Sequence, residues 1–226
     1  MTQQYAVIFD MDGVLVDSYQ AHLDSWRRLC REQGLEMTER DFAATFGRTS
    51  REVIGQLWSQ QASDDRVIAE WDERKEALFR ELLQRDFPAM PGAVELIDRL
   101  HEAGFRLAIG SSAPPENVHV VLNQLARHHS FQAAISAIDV TRGKPDPQVF
   151  LLAAARLGLP AARCLVIEDA PLGITAAHSA GMRCVGLVST GRTAELLADA
   201  DLVIHHLEEL QVPVVRRLLD ARDAEK

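Results

Sequence analysis

Short apolar segments recur along the chain, most of them without alternation between apolar and polar positions. The segments are residues 5–9, 105–110, 164–167, 184–188 and 201–204. Continuous apolar runs of this length are typical of strands buried on both faces, as in a parallel sheet. The pattern therefore predicts five strands of an α/β protein.

Apolar residues at helical spacing separate the later segments. Residues 118–125 carry apolar side chains at positions i, i+3, i+4 and i+7, which is the pattern of an amphipathic helix. Two further stripes, at 94–100 and 149–157, are each followed by a glycine, a residue that commonly ends a helix. Strand–helix alternation from about residue 90 onward predicts a Rossmann-like, doubly wound parallel sheet.

The stretch from about residue 18 to residue 87 shows only helical patterns. Prolines at 88 and 91 mark its end. We therefore expect an all-helical domain, residues 16–88, inserted into an α/β domain formed by residues 1–15 and 89–226.

Composition and charge restrict the possible partners. The 226 residues are 47% apolar and 25% charged, which is ordinary globular usage and excludes the disordered and collagen-like classes. The formal charge of −9 argues against a nucleic-acid partner, because nucleic-acid binding depends on basic surfaces. Any anionic substrate must then be held by local groups, such as a metal ion or a few lysines.

The chain carries no sequence signal for a membrane or for secretion. No apolar stretch approaches the roughly 20 residues that span a bilayer, and the first residues lack the basic segment of a signal peptide. Three scattered cysteines suggest neither disulfides nor a zinc site. We therefore expect a cytoplasmic protein with buried thiols and no membrane partner, either monomeric or weakly homo-oligomeric.

Polar residues follow several of the predicted strands, at the sheet edge where α/β proteins bind ligands. These residues are Asp10, Asp12, Ser111, Glu168 and Asp169. Lys144 lies in a loop before a predicted helix. Four acids at one edge repel each other unless a cation neutralises them, and carboxylate ligands without histidine or thiolate favour Mg²⁺.

These residue types suit phosphoryl transfer. Asp10 is a competent nucleophile toward phosphorus and would form an aspartyl phosphate. Asp12, two residues on across a tight turn, would protonate the leaving oxygen and later deprotonate the attacking water. Ser111 and Lys144 would stabilise the non-bridging oxygens, and Mg²⁺ would spread the developing charge.

Each of these residues also has a structural explanation when it is considered alone. The sequence Asp-x-Asp-Gly is often a turn after a strand, and Ser111 alone is more often a helix N-cap than a phosphate ligand. Lys144 alone is usually a solvated side chain, and Glu168 with Asp169 can simply cap the following helix. Their joint occurrence at successive strand ends favours a catalytic site.

At these positions the sequence resembles the haloacid dehalogenase superfamily, in the branch that holds β-phosphoglucomutase and related sugar-phosphate phosphatases. Residues 10–18, Asp-Met-Asp-Gly-Val-Leu-Val-Asp-Ser, match its first motif, and Ser111 matches the second. Lys144 with the following proline matches the third motif, and residues 166–174 match the fourth. The resemblance covers the whole chain and identifies residues 16–88 as an α-helical cap domain.

The resemblance implies a role for each matching residue. Asp10 would be the nucleophile and an Mg²⁺ ligand, and Asp12 the general acid and base, with its backbone carbonyl on the metal. Asp169 would bind Mg²⁺ directly, and Glu168 directly or through water. The implied phosphate-binding residues are Ser111, Ser112 and Lys144. The presence of Asp12 argues against a true dehalogenase, since those enzymes generally lack this acid.

The resemblance also implies that the cap contacts the substrate. The implied residues are His22, Trp26, Gly47, Arg48, Arg51 and Lys75. Lys75 falls in an apolar stripe of the helix predicted over 65–86. The alternative to a substrate contact is a structural lysine whose aliphatic part packs on the core while its ammonium group reaches solvent.

One departure from the family pattern separates two possible activities. After the serine of the second motif, β-phosphoglucomutase continues Ala-Ser-Lys-Asn, and the lysine and asparagine hold the distal phosphate of a bisphosphate intermediate. This chain has two prolines, Pro114 and Pro115, and a glutamate there instead, and only Asn117 can partly substitute. The departure favours a phosphatase over a mutase that interconverts β-glucose 1-phosphate and glucose 6-phosphate. We expect the phosphatase to act on small phosphorylated metabolites of the sugar-phosphate class. A sugar-phosphate-binding regulatory module without turnover ranks last, because every catalytic position is filled.

Overall fold

The structure is a computed structural model that describes residues 4–221, and within this range the chain forms six strands. They are β1 (Ala6–Phe9), β2 (Arg106–Gly110), β3 (Phe131–Ile135), β4 (Cys164–Glu168), β5 (Arg183–Leu187) and β6 (Leu202–Ile204). The strands are parallel and lie in the order β3-β2-β1-β4-β5-β6. Because β1 lies between β2 and β4, the strand order reverses there, which is where such sheets bind ligands. The expected Rossmann-like α/β fold is confirmed.

The edge strand β3 is the one strand that the hydrophobic pattern did not predict. Its sequence is Phe-Gln-Ala-Ala-Ile, and most of its side chains are only partly buried. Alanine and glutamine are weak strand formers, and an edge strand needs no continuous apolar run. Pairing with β2 therefore decides its conformation.

The described residues also form nine α-helices. In the predicted helical insertion they are α1 (Tyr19–Gln33), α2 (Glu39–Thr45), α3 (Ser50–Leu57) and α4 (Asp65–Arg85). Around the sheet they are α5 (Ala93–Glu102), α6 (Pro115–Leu125), α7 (Gln148–Leu157), α8 (Pro171–Ser179) and α9 (Val212–Asp220). Gly158 ends α7 with a φ of 66°, a left-handed conformation that glycine adopts without strain.

The chain divides into two compact units. One unit contains the described residues up to Asp17 together with those from Ala89 onward, and the other is Ser18–Pro88. The division falls close to the predicted boundaries at 15/16 and 88/89. The assignment of these units as catalytic core and substrate-binding cap remains a prediction.

Each unit has its own apolar core. Every residue of β1 is 0% exposed, because helices cover both faces of the sheet. On one face Ile8 belongs to a cluster with Phe150 of α7 and Ile174 of α8. The helical unit is built around a separate cluster that includes Trp26 and Trp58.

The sequence predictions on the cysteines and on membrane-spanning segments can now be compared with the structure. Cys30, Cys164 and Cys184 are free and buried, as expected. Among residues 4–221, no helix combines the length and apolar character that crossing a membrane requires. The expectation that the first residues are not a signal peptide concerns in part residues 1–3, which lie outside the described range.

Candidate active site

The turn after β1 places two aspartates at the edge of the sheet. The backbone N–H of Asp10 donates to the carbonyl of Ile167 at 2.9 Å, so β4 fixes its position. Asp12 is half-buried in the turn that follows. Gly13 makes this turn possible with a φ of 78°, and its N–H donates to the carbonyl of Val16 at 2.8 Å.

Strand register brings the next polar residues to the same edge. Phe9 pairs with Ile109 of β2 and Ile167 of β4. Asp10 and Glu168 therefore lie at the same level of the sheet edge, and Ser111 lies one residue further along its strand.

Ser111 is buried at the end of β2 and is fixed by two hydrogen bonds. Its N–H donates to the carbonyl of Ile135 at 3.0 Å, and its hydroxyl oxygen accepts the N–H of Ala113 at 3.0 Å. The residue that caps α6 is Pro114, so the N-cap explanation for Ser111 does not apply to that helix. Ser112 is exposed beside it.

Lys144 lies between two of the acids. Its Nζ is 2.7 Å from Asp10 Oδ1 and 2.5 Å from Glu168 Oε1, and it lies 5.0 Å from the centre of the Phe150 ring. The side chain is only 10% exposed. Burial works against its charge, but the charges of Asp10 and Glu168 prevail and raise the pKa of Lys144, so the lysine is held as a cation.

Glu168 is held by backbone groups at the start of α8. Its Oε2 accepts the N–H groups of Asp169 and Ala170, both at 2.8 Å. Gly173 leaves room for the other oxygen, because a Cβ at this position would lie 1.8 Å from Glu168 Oε1. The carboxylate orientation thus depends on a glycine in the first turn of the helix.

The three carboxylates of Asp10, Glu168 and Asp169 form one group. Their oxygens lie within 4.8 Å of one another, and this is the one such group found among residues 4–221. Burial, together with the charges of Glu168 and Asp169, raises the pKa of Asp10 well above its ordinary value despite Lys144. Burial and Glu168 raise the pKa of Asp169 to about 7, against the lowering effects of Arg192 and Thr190.

The side-chain cations that contact the acid group do not balance its charge. Three buried carboxylates face two side-chain cations, Lys144 and Arg192. An additional cation would neutralise the remaining charge, and oxygen donors without histidine or thiolate suit a hard metal ion. The residues present therefore fit a bound metal.

Sequence reasoning missed the loop after β5. Thr190 Oγ1 donates to Asp169 Oδ2 at 2.5 Å, and Arg192 forms an ion pair with the same oxygen. Ser189 Oγ donates to the carbonyl of Gly13 at 2.7 Å, so this loop also touches the turn after β1. The available signal was position, because these residues follow the segment predicted as a strand over 184–188.

In the helical unit, three of the residues predicted to bind substrate lie together. Lys75 Nζ is 2.9 Å from His22 Nδ1 and 5.4 Å from the centre of a Trp26 ring. Lys75 also pairs with Glu76 at 2.8 Å, and Ser50 Oγ donates to Glu76 at 2.5 Å. The sequence analysis did not single out Glu76 or Ser50, and the substrate roles of the other three residues remain predictions.

The remaining predicted substrate residues lie elsewhere. Gly47 and Arg48 are exposed in the loop before α3, and Arg51 is exposed in the first turn of α3. Arg48 Nη1 donates to Gln56 Oε1 at 2.5 Å. In the sheet unit, Asn117 is buried in the first turn of α6.

Comparison with known proteins identifies the family. A family model described as haloacid dehalogenase-like hydrolase matches residues 6–181. The chain belongs to this family. The resemblance inferred from the four motifs is confirmed, whereas the roles of individual haloacid dehalogenase motif residues remain predictions.

Relatives in this family include both phosphatases and a mutase. Validoxylamine A 7'-phosphate phosphatase of Streptomyces hygroscopicus subsp. limoneus is 34% identical over 211 residues, which cover 91% of this chain and 95% of that protein. Beta-phosphoglucomutase of Bacillus subtilis (strain 168) is 31% identical over 219 residues, covering 93% of each chain. The crystal structure of a HAD hydrolase, family IA, variant 3, from Entamoeba histolytica HM-1:IMSS matches with a TM-score of 0.87 and 28% identity, covering 96% of this chain and 100% of that one.

Proposed function

We propose that this protein is an Mg²⁺-dependent phosphatase that hydrolyses small phosphorylated metabolites, in particular sugar phosphates, through an aspartyl-phosphate intermediate. The observation that carries the proposal is the buried group in which Lys144 bridges Asp10 and Glu168. The lysine neutralises a carboxylate that must approach an anionic phosphate. The phosphatase among the relatives, similar over nearly the whole chain, supports the same reaction class.

In the first half-reaction a carboxylate oxygen of Asp10 attacks phosphorus, and the ester P–O bond breaks. Asp12 gives its proton to the leaving oxygen, which departs as an alcohol. Lys144 and the N–H and hydroxyl groups of residues 111–112 stabilise the non-bridging oxygens as negative charge develops on them.

In the second half-reaction water attacks the phosphorus of the aspartyl phosphate. The Asp12 carboxylate, deprotonated by the first step, takes a proton from this water, and the acyl P–O bond breaks. Inorganic phosphate leaves, and Asp10 and Asp12 return to their starting protonation states.

The metal would be held by Asp10, Glu168 and Asp169, together with the backbone carbonyl of Asp12. When bound, Mg²⁺ supplies positive charge to the transferring phosphoryl group. A cytoplasmic location, a monomeric or weakly associated state, and the absence of nucleic-acid and membrane partners belong to the same proposal.

A mutase that interconverts β-glucose 1-phosphate and glucose 6-phosphate is the second candidate. Its support is the similarity to the beta-phosphoglucomutase of Bacillus subtilis. Against it stand Pro114 and Pro115, which begin α6 at the place where the mutase has a lysine and an asparagine. Neither proline has a side-chain donor for a second phosphate. A regulatory module without turnover remains third.

The test is phosphate release from a panel of sugar and short-chain phosphates with Mg²⁺, with and without glucose 1,6-bisphosphate. Steady release without the bisphosphate, abolished in an Asp10→Asn variant, supports the phosphatase. Bisphosphate-dependent conversion of β-glucose 1-phosphate without net release would establish the mutase. Binding of these compounds with no conversion at all would favour the regulatory module.

A further inference from the structure

Thr190, in the loop after β5, has an unusual backbone conformation. Its φ is 53°, in the left-handed region, and the described residues contain one other non-glycine residue there, Ala126, also at 53°. A β-branched side chain is a strong outlier in this region, and such residues persist where the surrounding structure enforces them. Because glycine would adopt the conformation without strain, a threonine here calls for an explanation in its side chain.

The side chain of Thr190 makes a contact that glycine cannot make. Its hydroxyl donates to Asp169 Oδ2 at 2.5 Å. Arg192 pairs with the same oxygen, and Ser189 Oγ lies 3.4 Å from it. One oxygen of this carboxylate is thus engaged by three side chains of a single loop.

The turn after β1 also lies against this carboxylate oxygen. A Cβ on Gly13 would lie 2.2 Å from Asp169 Oδ2 and 3.0 Å from Thr190 Cγ2. The backbone of Gly13 and the hydroxyl of Thr190 therefore both lie close to this oxygen and restrict its movement. Rotation of the Asp169 side chain would break the hydrogen bond or collide with the turn.

We propose that Thr190 is a positioning residue, whose left-handed backbone delivers its hydroxyl to Asp169 and keeps this carboxylate directed toward Asp10 and Glu168. The inference rests on the proposed function, in which Asp169 binds Mg²⁺. Groups that orient a metal ligand commonly change metal affinity or activity by about 10–100-fold when they are removed. The backbone strain of Thr190 is then a cost in stability that is retained for function.

The test compares variants that separate the hydroxyl from the backbone conformation. Thr190→Val removes the hydroxyl and keeps the branched shape, whereas Thr190→Ser keeps the hydroxyl and removes the branch. Ala126→Gly is the matched control, because Ala126 has the same positive φ outside the site and glycine removes the backbone strain there. The readouts are the Kd for Mg²⁺, measured by calorimetry without substrate on the full chain, and kcat for phosphate release.

We expect Thr190→Val to raise the Kd for Mg²⁺ by about 10-fold or more and to lower kcat. Thr190→Ser and Ala126→Gly should keep the wild-type Kd and kcat. If the valine variant does not fold, Thr190→Ala removes the same hydroxyl with a smaller side chain. An unchanged Kd in the folded hydroxyl-free variant overturns the inference even if the wild type is an active phosphatase. Failure of the wild type to bind Mg²⁺ would instead overturn the proposed function and, with it, this inference.

Discussion

Lys144 is the residue that bridges two of the buried acids. It faces Asp10 and Glu168 in a region where water is largely excluded, and each acid is one hydrogen bond away. A buried ion pair that loses one partner leaves an uncompensated charge, which is costly for folding as well as for catalysis. Lys144 thus stabilises the acid group, and in the proposed function it also binds the phosphate.

Replacing Lys144 by alanine should lower kcat by about 10²–10³-fold, because a preorganised donor to the phosphoryl oxygens is lost. It should also lower the free energy of unfolding, since two buried acids lose their cation. Phosphate release and urea denaturation measure the two effects.

The matched control for Lys144 is Arg142, two residues earlier in the same loop. Its side chain is 74% exposed and pairs with Asp146 at 2.9 Å. An exposed ion pair contributes little, so Arg142→Ala should leave both activity and stability near wild type. Equal losses in the two variants would contradict the role assigned to Lys144.

At the scale of elements, α8 is the helix that orients the acid group. The two residues that join β4 to this helix, Asp169 and Ala170, bind Glu168 through their backbone N–H groups. Gly173, in its first turn, leaves the space that Glu168 occupies. The first turn of this helix and the two residues before it thus define one wall of the site.

Gly173→Ala should displace Glu168, because the added Cβ would lie 1.8 Å from Glu168 Oε1 and 2.0 Å from its Cδ. We expect loss of most phosphatase activity and weaker Mg²⁺ binding, measured by phosphate release and calorimetry.

The control for Gly173→Ala is Gly55→Ala in α3, where an added Cβ meets nothing within 4 Å. That change should stabilise the protein by about 0.5–1 kcal/mol, because alanine favours helix, and should leave activity unchanged. Wild-type activity in Gly173→Ala would show that the position of Glu168 is not critical.

The helical unit contains a second buried charge group, which links α1, α3 and α4. Glu76 accepts hydrogen bonds from Lys75 and Ser50. Burial works against its charge, but Lys75, His22 and these hydrogen bonds prevail and lower the pKa of Glu76 to about 2.

A depressed carboxyl pKa makes the stability of the protein depend on pH. The contribution of Glu76 is complete above pH 4.5, its ordinary pKa, and is lost as the pH falls toward about 2. The shift corresponds to on the order of 3 kcal/mol. In urea denaturation, Glu76→Gln should therefore be less stable than wild type at pH 7, and the difference should shrink between pH 4.5 and pH 3.

The control for this pH dependence is Glu73→Gln, on the same helix, at a side chain that is 76% exposed. Its stability difference from wild type should be small, because an exposed ion pair contributes little. A constant difference for Glu76→Gln across the same range would contradict the assigned pKa of Glu76.

At the scale of the whole molecule, five strands and the polar residues at their carboxyl ends were predictable, because both follow from local sequence patterns. Continuous apolar runs marked five strands, and Asp10, Ser111 and Glu168 were placed at one edge because the carboxyl ends of parallel strands share an edge. The strand β3 escaped because alanine and glutamine carry no strand signal.

The contacts that the sequence did not reveal depend on the order of the strands. Thr190 reaches Asp169 because β5 lies beside β4, and hydrophobic periodicity carries no information about that order. The backbone conformation of Thr190 is equally hidden, since threonine is not a residue that suggests a positive φ. Glu76 was missed because its burial follows from the packing of α1 and α3 on α4.

The net charge of −9 makes local contacts important for binding an anionic substrate. The overall field of the molecule repels an anionic substrate, so phosphate binding must rely on a few fixed groups. The site contains Lys144 and backbone N–H donors, and the proposed Mg²⁺ would add to them. We therefore expect charge at the sheet edge, and not over the whole surface, to hold an anionic substrate.

The central claim is that Asp10 carries the phosphoryl group during turnover, and the most direct test is to trap that intermediate. The enzyme is mixed with a substrate that it hydrolyses, and the reaction is quenched in acid within one turnover. Borohydride reduction then converts an aspartyl phosphate to homoserine. We predict homoserine at position 10 in the wild-type peptide and none in Asp10→Asn or in unreacted enzyme. Rapid phosphate release with an unmodified Asp10, or with the modification on another residue, would contradict the account.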